Sequence, residues 1–251
     1  MKRPPRGFTL TELMIVIAIV IALSGISLSL FRSSKEKAHQ TVALSKMKAL
    51  GSAFATFSVD RNGDLPFEDA SGTDDWVNAA KPENVDAWYN ALPKMMGAMS
   101  VGELGMQNPA GLYDEAHPLF IPGAPYPSVE KRAGSPVFAV AMNSRLQRKD
   151  PDGIKKPGKM TLIQEPAKTV VLLERGMSGD KKTMEAQRGF DGSPKANARA
   201  FAARHAQKGC LIFADGHAEL RPASSLLTVS GAIIVPQTAI VWTPNPDDDP
   251  N

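Results

Sequence analysis

Apolar positions along this chain fall into three regimes. From Leu13 to Leu23 they are continuous, LMIVIAIVIAL, with only Glu12 charged between Phe8 and Phe31. From Ala43 to Phe57 they recur at Ala43, Met47, Leu50, Phe54 and Phe57, spacings of four, three, four and three that put them on one face of a helix. From residue 135 onward come short runs of strand character: SPVFAVAMN (135–143), KTVVLLE (168–174), FAARH (201–205), CLIFA (210–214), HAEL (217–220) and GAIIVPQTAIVW (231–242). The intervening residues 67–135, with WVNAA, AWYNALPKMMG and many glycines and prolines, predict short helices and long loops. Proline is absent from Phe8 to Val59, so the first two regimes predict one helix of about fifty residues, ~75 Å long. Its second half should lie along a head that is mainly antiparallel sheet, making the fold α+β.

The pattern also sets boundaries. Residues 8–31 form an apolar helix half of roughly 36 Å, enough to cross a bilayer, and 32–59 form its amphipathic continuation. Ser24, Gly25, Ser27 and Ser29 are the weakest helical positions of the first half. DRNGDLP (60–66) is a helix stop and turn; its Asp60, Asn62 and Asp64 alternate as calcium ligands do, but Gly63 precedes the third carboxylate where a calcium loop places glycine after it. The head is expected over 60–240. Residues 241–251 end in TPNPDDDPN, a proline-rich acidic stretch expected to be a loose tail.

Charge changes the picture at one end only. The chain has 29 basic and 26 acidic residues, but Lys2, Arg3 and Arg6 lie in residues 1–7, and without them the counts are equal. No basic excess remains to suggest nucleic acid. Cations before the apolar run keep that end cytoplasmic and send the rest of the chain across the membrane. A secretory signal peptide would share this layout, yet GISLSLF followed by RSSKEK is a poor cleavage site. Cys210 is the one cysteine, so neither an internal disulfide nor a cysteine-based zinc site is available.

Glu12 inside the apolar helix requires an explanation, because a carboxylate in hydrocarbon is costly and marks a partner unless it reaches the headgroups. The junction RGFTLTE resembles the cleavage signal of type IV pilins and type II secretion pseudopilins: a basic leader, Gly7, Phe8, and a glutamate five residues into the mature chain. The resemblance implies a pilin-like fold and a leader, residues 1–7, removed after Gly7 by a prepilin peptidase that methylates Phe8. It further implies that Glu12 is the assembly residue, pairing with the Phe8 amine of a neighbouring copy. The implied location is the bacterial inner membrane, single-pass, with the head periplasmic. The implied partners are the peptidase, other pilin-type subunits and membrane lipid.

In the head, His205, nine further residues and Asp215-Gly216 resemble the H-X9-DG motif of a family of prepilin-like proteins, with MNSRL and TVVLLE similar to its flanking strands. Asp-Gly between two apolar runs predicts a type I′ hairpin pairing CLIFA with HAEL. A second turn, from Ala206 to Gly209, would set His205 opposite Cys210. His205 and Asp215 would then lie at opposite ends of one strand, ~17 Å apart, too far to share a metal. The expected role of the motif is to build turns. His39 and His117 are isolated, and there is no nucleophile elbow, phosphate loop or dinucleotide fingerprint. The reading is therefore a structural filament subunit without enzymatic activity or cofactor; the rival is a membrane-anchored binding protein that never polymerises.

Overall fold

The computed structural model describes residues 9–68 and 75–251, the side chains of 25–29 and 32 excepted. Helix α1 runs unbroken over Leu10–Asp60, 51 residues. Its second half buries Ala43, Met47, Leu50, Phe54 and Phe57, the face predicted from spacing, with Ala53 beside them. The stop at 60–66 is a paired C-cap: Asn62 takes the left-handed conformation (φ 54°), Gly63 N–H donates to the Ser58 carbonyl at 2.7 Å and Asn62 N–H to that of Val59 at 3.3 Å. Asp64, one of the three alternating ligand candidates, is ion-paired with Lys159 at 2.9 Å.

The described residues of 67–135 form four short α-helices, α2 (Trp76–Ala79), α3 (Trp88–Met95), α4 (Val101–Gln107) and α5 (Val129–Gly134), joined by turns. The head sheet has five strands: β1 (Val140–Asn143), β4 (Val170–Glu174), β5 (Lys195–Ala196), β6 (Lys208–Phe213) and β7 (Ala218–Pro222). Their order is β5-β1-β4-β6-β7, antiparallel except for the short β1–β5 pair. A separate two-stranded ribbon joins β2 (Arg148–Lys149) to β3 (Lys155–Lys156).

Both faces of the sheet are covered. Leu172, Cys210 and Ile212 share a core with Met47, Leu50 and Phe54 of α1, while Leu173, Leu211 and Phe213 pack on the other face with Leu226 and Trp242. Side chains alternate along a strand, so a strand covered on both faces is apolar throughout, as VVLL of β4 is. A bulge between Val170 and Leu172 puts both Val171 and Leu172 on the helix side.

Two expected strands do not form. FAARH follows a 3-10 turn over Ala198–Ala200, started by the Asn197 side chain accepting from Arg199 N–H, and contributes two isolated bridges, Arg175–Phe201 and His205–Lys208. GAIIVPQTAIVW is interrupted by Pro236, which has no N–H for a ladder, and touches the sheet through the Thr169–Val241 bridge. The expected loose tail is also corrected. Val241, Trp242 and Thr243 are buried, Gln237 Nε2 donates to Thr243 Oγ1 (2.7 Å) and to the carbonyls of Pro246 (3.1 Å) and Asp248 (2.9 Å), and Asn251 Oδ1 accepts from Ile233 N–H at 2.7 Å. One buried glutamine thus supplies the carbonyl partners that a proline-rich segment cannot obtain from a ladder.

Candidate assembly site

The first turn of α1 is built by Thr9 and Glu12. Thr9 Oγ1 accepts from Glu12 N–H at 3.3 Å, and Glu12 Oε2 accepts from Thr9 N–H (2.8 Å) and Thr9 Oγ1 (2.7 Å). This is a capping box of the spelling T-x-x-E, missed by sequence reasoning, and it satisfies two helix-end donors reciprocally. The second oxygen, Oε1, has no hydrogen bond among the described residues. Around it the helix is bare: Leu13, Met14, Ile15, Ile17 and Val20 are each about half exposed or more. Gly7 and Phe8, the expected processing junction, lie outside the described residues. Among the described residues no helix is long and apolar enough to cross a membrane; the run with described side chains, Leu10 to Ser24, covers about 22 Å of a ~30 Å hydrocarbon core.

The structure places the head motif on two turns, each different from the expected one. Ala206 (φ 49°) and Gln207 (φ 64°) form a two-residue loop in which His205 and Lys208 exchange backbone hydrogen bonds of 2.8 and 2.9 Å, so His205 faces Lys208 rather than Cys210. The primed turn is thus here, on residues without the usual Asn-Gly spelling. Glu36 of α1 holds it, Oε1 accepting from Ala206 N–H at 2.8 Å.

The Asp215-Gly216 loop has three residues: Phe213 N–H donates to the His217 carbonyl and Gly216 N–H to that of Phe213, both at 2.9 Å. Of its residues only Gly216 has positive φ, 89°, which makes it a type I turn closed by a glycine bulge. Asp215 Oδ1 accepts from His217 N–H (3.1 Å) and lies 2.6 Å from His217 Nδ1, whose ring stacks on Phe213. Gly216 abuts Gly51 of α1: a Cβ on Gly51 would meet the Gly216 carbonyl oxygen at 2.2 Å. The glycine therefore serves both the turn and the seating of the hairpin on the helix.

His205 belongs to a buried ionic cluster that sequence reasoning missed. Its Nε2 lies 3.2 Å from Glu174 Oε1, without the alignment of a hydrogen bond. Arg204 donates to Glu174 Oε2 at 2.8 Å and to Asp180 Oδ2 at 2.6 Å, and Cys210 N–H donates to Glu174 Oε1 at 3.1 Å. All the charged side chains are essentially buried. Burial opposes ionisation of Glu174, but the adjoining His205 side chain, the Arg204 guanidinium and the Cys210 N–H outweigh it and hold the carboxyl below its usual range. Burial and the Glu174 charge push the Cys210 thiol up, keeping it from reacting as a thiolate. Among the described residues no group of three or more His, Cys, Asp or Glu could hold a metal ion. The available signals for the cluster were a glutamate closing an apolar strand and an arginine beside the motif histidine.

The profile of the prokaryotic N-terminal methylation motif matches residues 2–28. Over 133 residues the chain is 30% identical to the type II secretion system core protein G of Aeromonas hydrophila, an alignment covering 45% of this chain and 92% of that protein. No solved structure matches the chain.

Proposed function

Because the chain belongs to the family of the type II secretion system core protein G, the pseudopilins, it is a structural filament subunit, and we propose how its first turn drives assembly. The chain is made with its basic leader in the cytoplasm, is cut after Gly7 by a prepilin peptidase, and is held in the inner membrane by residues 8–31 with the head on the periplasmic side. Methylated Phe8 becomes the new N-terminus. Helices of neighbouring copies then bundle through the bare apolar face of α1, and the Phe8 amine of one copy pairs with Glu12 of the next.

The observation that carries this reading is the placement of Glu12, exposed at the start of an uncovered apolar helix with one carboxylate oxygen still free to accept. In a lipid-embedded bundle an amine without a counter-charge is costly, so only copies in the correct register pair. The capping box holds the carboxylate in place for that contact.

Glu12→Ala tests it. The variant should be inserted and cut as the wild type is, since the junction is intact and the helix is more apolar, yet cysteine crosslinking between first-half helices should give at least about tenfold less oligomer. Abundant oligomer from Glu12→Ala would remove the pairing role. Absence of oligomer from the wild type would favour the anchored binding protein that does not polymerise.

A further inference from the structure

The head holds a cavity of about 600 Å³ between the β2–β3 ribbon and the β5 edge of the sheet, and its walls are strongly cationic. Arg148, Lys149 and Lys155 line it from the ribbon. Arg175, just past β4, lines it together with Arg188, Lys195 and Arg199. Outside its first seven residues the chain has equal numbers of acids and bases, so seven cations around one cavity is a segregation of charge and not a reflection of composition.

Among the described residues little nearby neutralises them. Glu68 pairs with Lys155 at 3.0 Å, and Asp191 pairs with Arg175. Arg148 and Arg199 are held by neutral carbonyls, Nε of Arg148 donating to Pro157 at 2.8 Å and Nε of Arg199 to Gly231 at 2.9 Å. The buried Arg175 guanidinium also donates to the Gly189 carbonyl at 2.7 Å. Carbonyl partners fix a guanidinium in place without cancelling its charge. The side chains of Lys149, Arg188 and Lys195 have no hydrogen-bond or ion-pair partner among the described residues. Among the described residues two carboxylates stand against these seven cations, and a cleft lined by one sign of charge concentrates the opposite sign within it.

We propose that this cavity binds a ligand carrying two or more phosphoryl groups. Charge density decides the class. A carboxylate brings one negative charge, whereas a terminal phosphoryl group brings up to about two in a similar volume and offers three acceptor oxygens to fixed guanidinium forks. A cavity of this size can accommodate several such groups. The site lies in the head and does not depend on how the helices assemble.

Full-length protein in detergent micelles, titrated calorimetrically with inorganic pyrophosphate at near-physiological salt, should show saturable binding at one site. Removing two of the unpartnered cations, Lys149→Ala with Arg188→Ala, should weaken it about tenfold or more without shifting the thermal melt. A control pair on α1, Lys35→Ala with Lys37→Ala, should leave it unchanged. No saturable binding, equal loss from both pairs, or undiminished binding by the cavity pair would overturn the site; citrate binding as tightly as pyrophosphate would overturn its assignment to phosphoryl ligands.

Discussion

At the scale of single residues, Glu174 is the buried carboxylate on which Arg204, His205 and the Cys210 N–H converge. It is fully buried, and its folded carboxyl titrates below the ordinary 4.5. A carboxylate with depressed pKa stabilises the fold above its unfolded value, and that contribution is lost as pH falls through the folded value. The melting temperature should therefore hold above about pH 4.5 and drop below it. Glu103 is also held down, to about 2, by the Lys94 ammonium and the Ser100 N–H, but it is only half-buried and solvent screens its share. Glu174→Gln leaves the buried Arg204 guanidinium with Asp180 alone as counter-charge and should cost about 3 kcal/mol at neutral pH, with a flatter melting curve on the acid side. An acid limb as steep as in the wild type would place the titration elsewhere. The sequence showed His205 and spelled its spacing to Asp215, yet not this role, because Glu174 and Asp180 reach the Arg204–His205 pair only once β4 and β6 are side by side.

At the scale of elements, the contact of α1 with the β6–β7 hairpin is set by two glycines, Gly51 and Gly216. Gly51→Ala improves helix propensity by about 1 kcal/mol, yet its methyl would enter the Gly216 carbonyl and force the elements apart, for a net loss on the order of 1–2 kcal/mol. Gly216→Val adds strain at positive φ, about 1 kcal/mol or more, and crowds Gly51 and Ala55. Because both changes open the same contact, the double variant should lose less than the sum of the singles in thermal melts of the full chain; strict additivity would mean that the two sites are independent. The elements legible in sequence were those with strong periodicity or continuous apolarity: the amphipathic half of α1, and β1, β4 and β6. What was not legible depended on partners distant in sequence. The primed turn moved to Ala206-Gln207 because Glu36 of α1 meets its N–H, and the acidic tail is held by Gln237, whose side chain bears no mark of that duty.

At the scale of the whole molecule, the proposed processing makes the seven residues before Phe8 decide whether the chain can become part of a filament. On that proposal, Lys2, Arg3 and Arg6 would hold an uncut N-terminus on the cytoplasmic side, and no Phe8 amine would exist to pair with Glu12 of a neighbour. Gly7→Asp should block removal of this segment, since the aspartate puts bulk and charge at a junction that otherwise offers the peptidase a residue without a side chain. The precursor should insert normally, because the apolar run and its flanking cations are unchanged, and the head should remain accessible only to protease added from the periplasmic side. It should not assemble: three uncleaved cations cannot enter a lipid-embedded bundle, and the amide at Phe8 carries no charge to pair with Glu12. Glu12→Ala and Gly7→Asp thus fail at different steps. The first should give processed monomer and the second unprocessed monomer, each distinguishable by mass. A Gly7→Asp strain yielding mature-length protein would refute the cleavage site, whereas full-length precursor found crosslinked as efficiently as the wild type would show that the helices associate without the terminal amine.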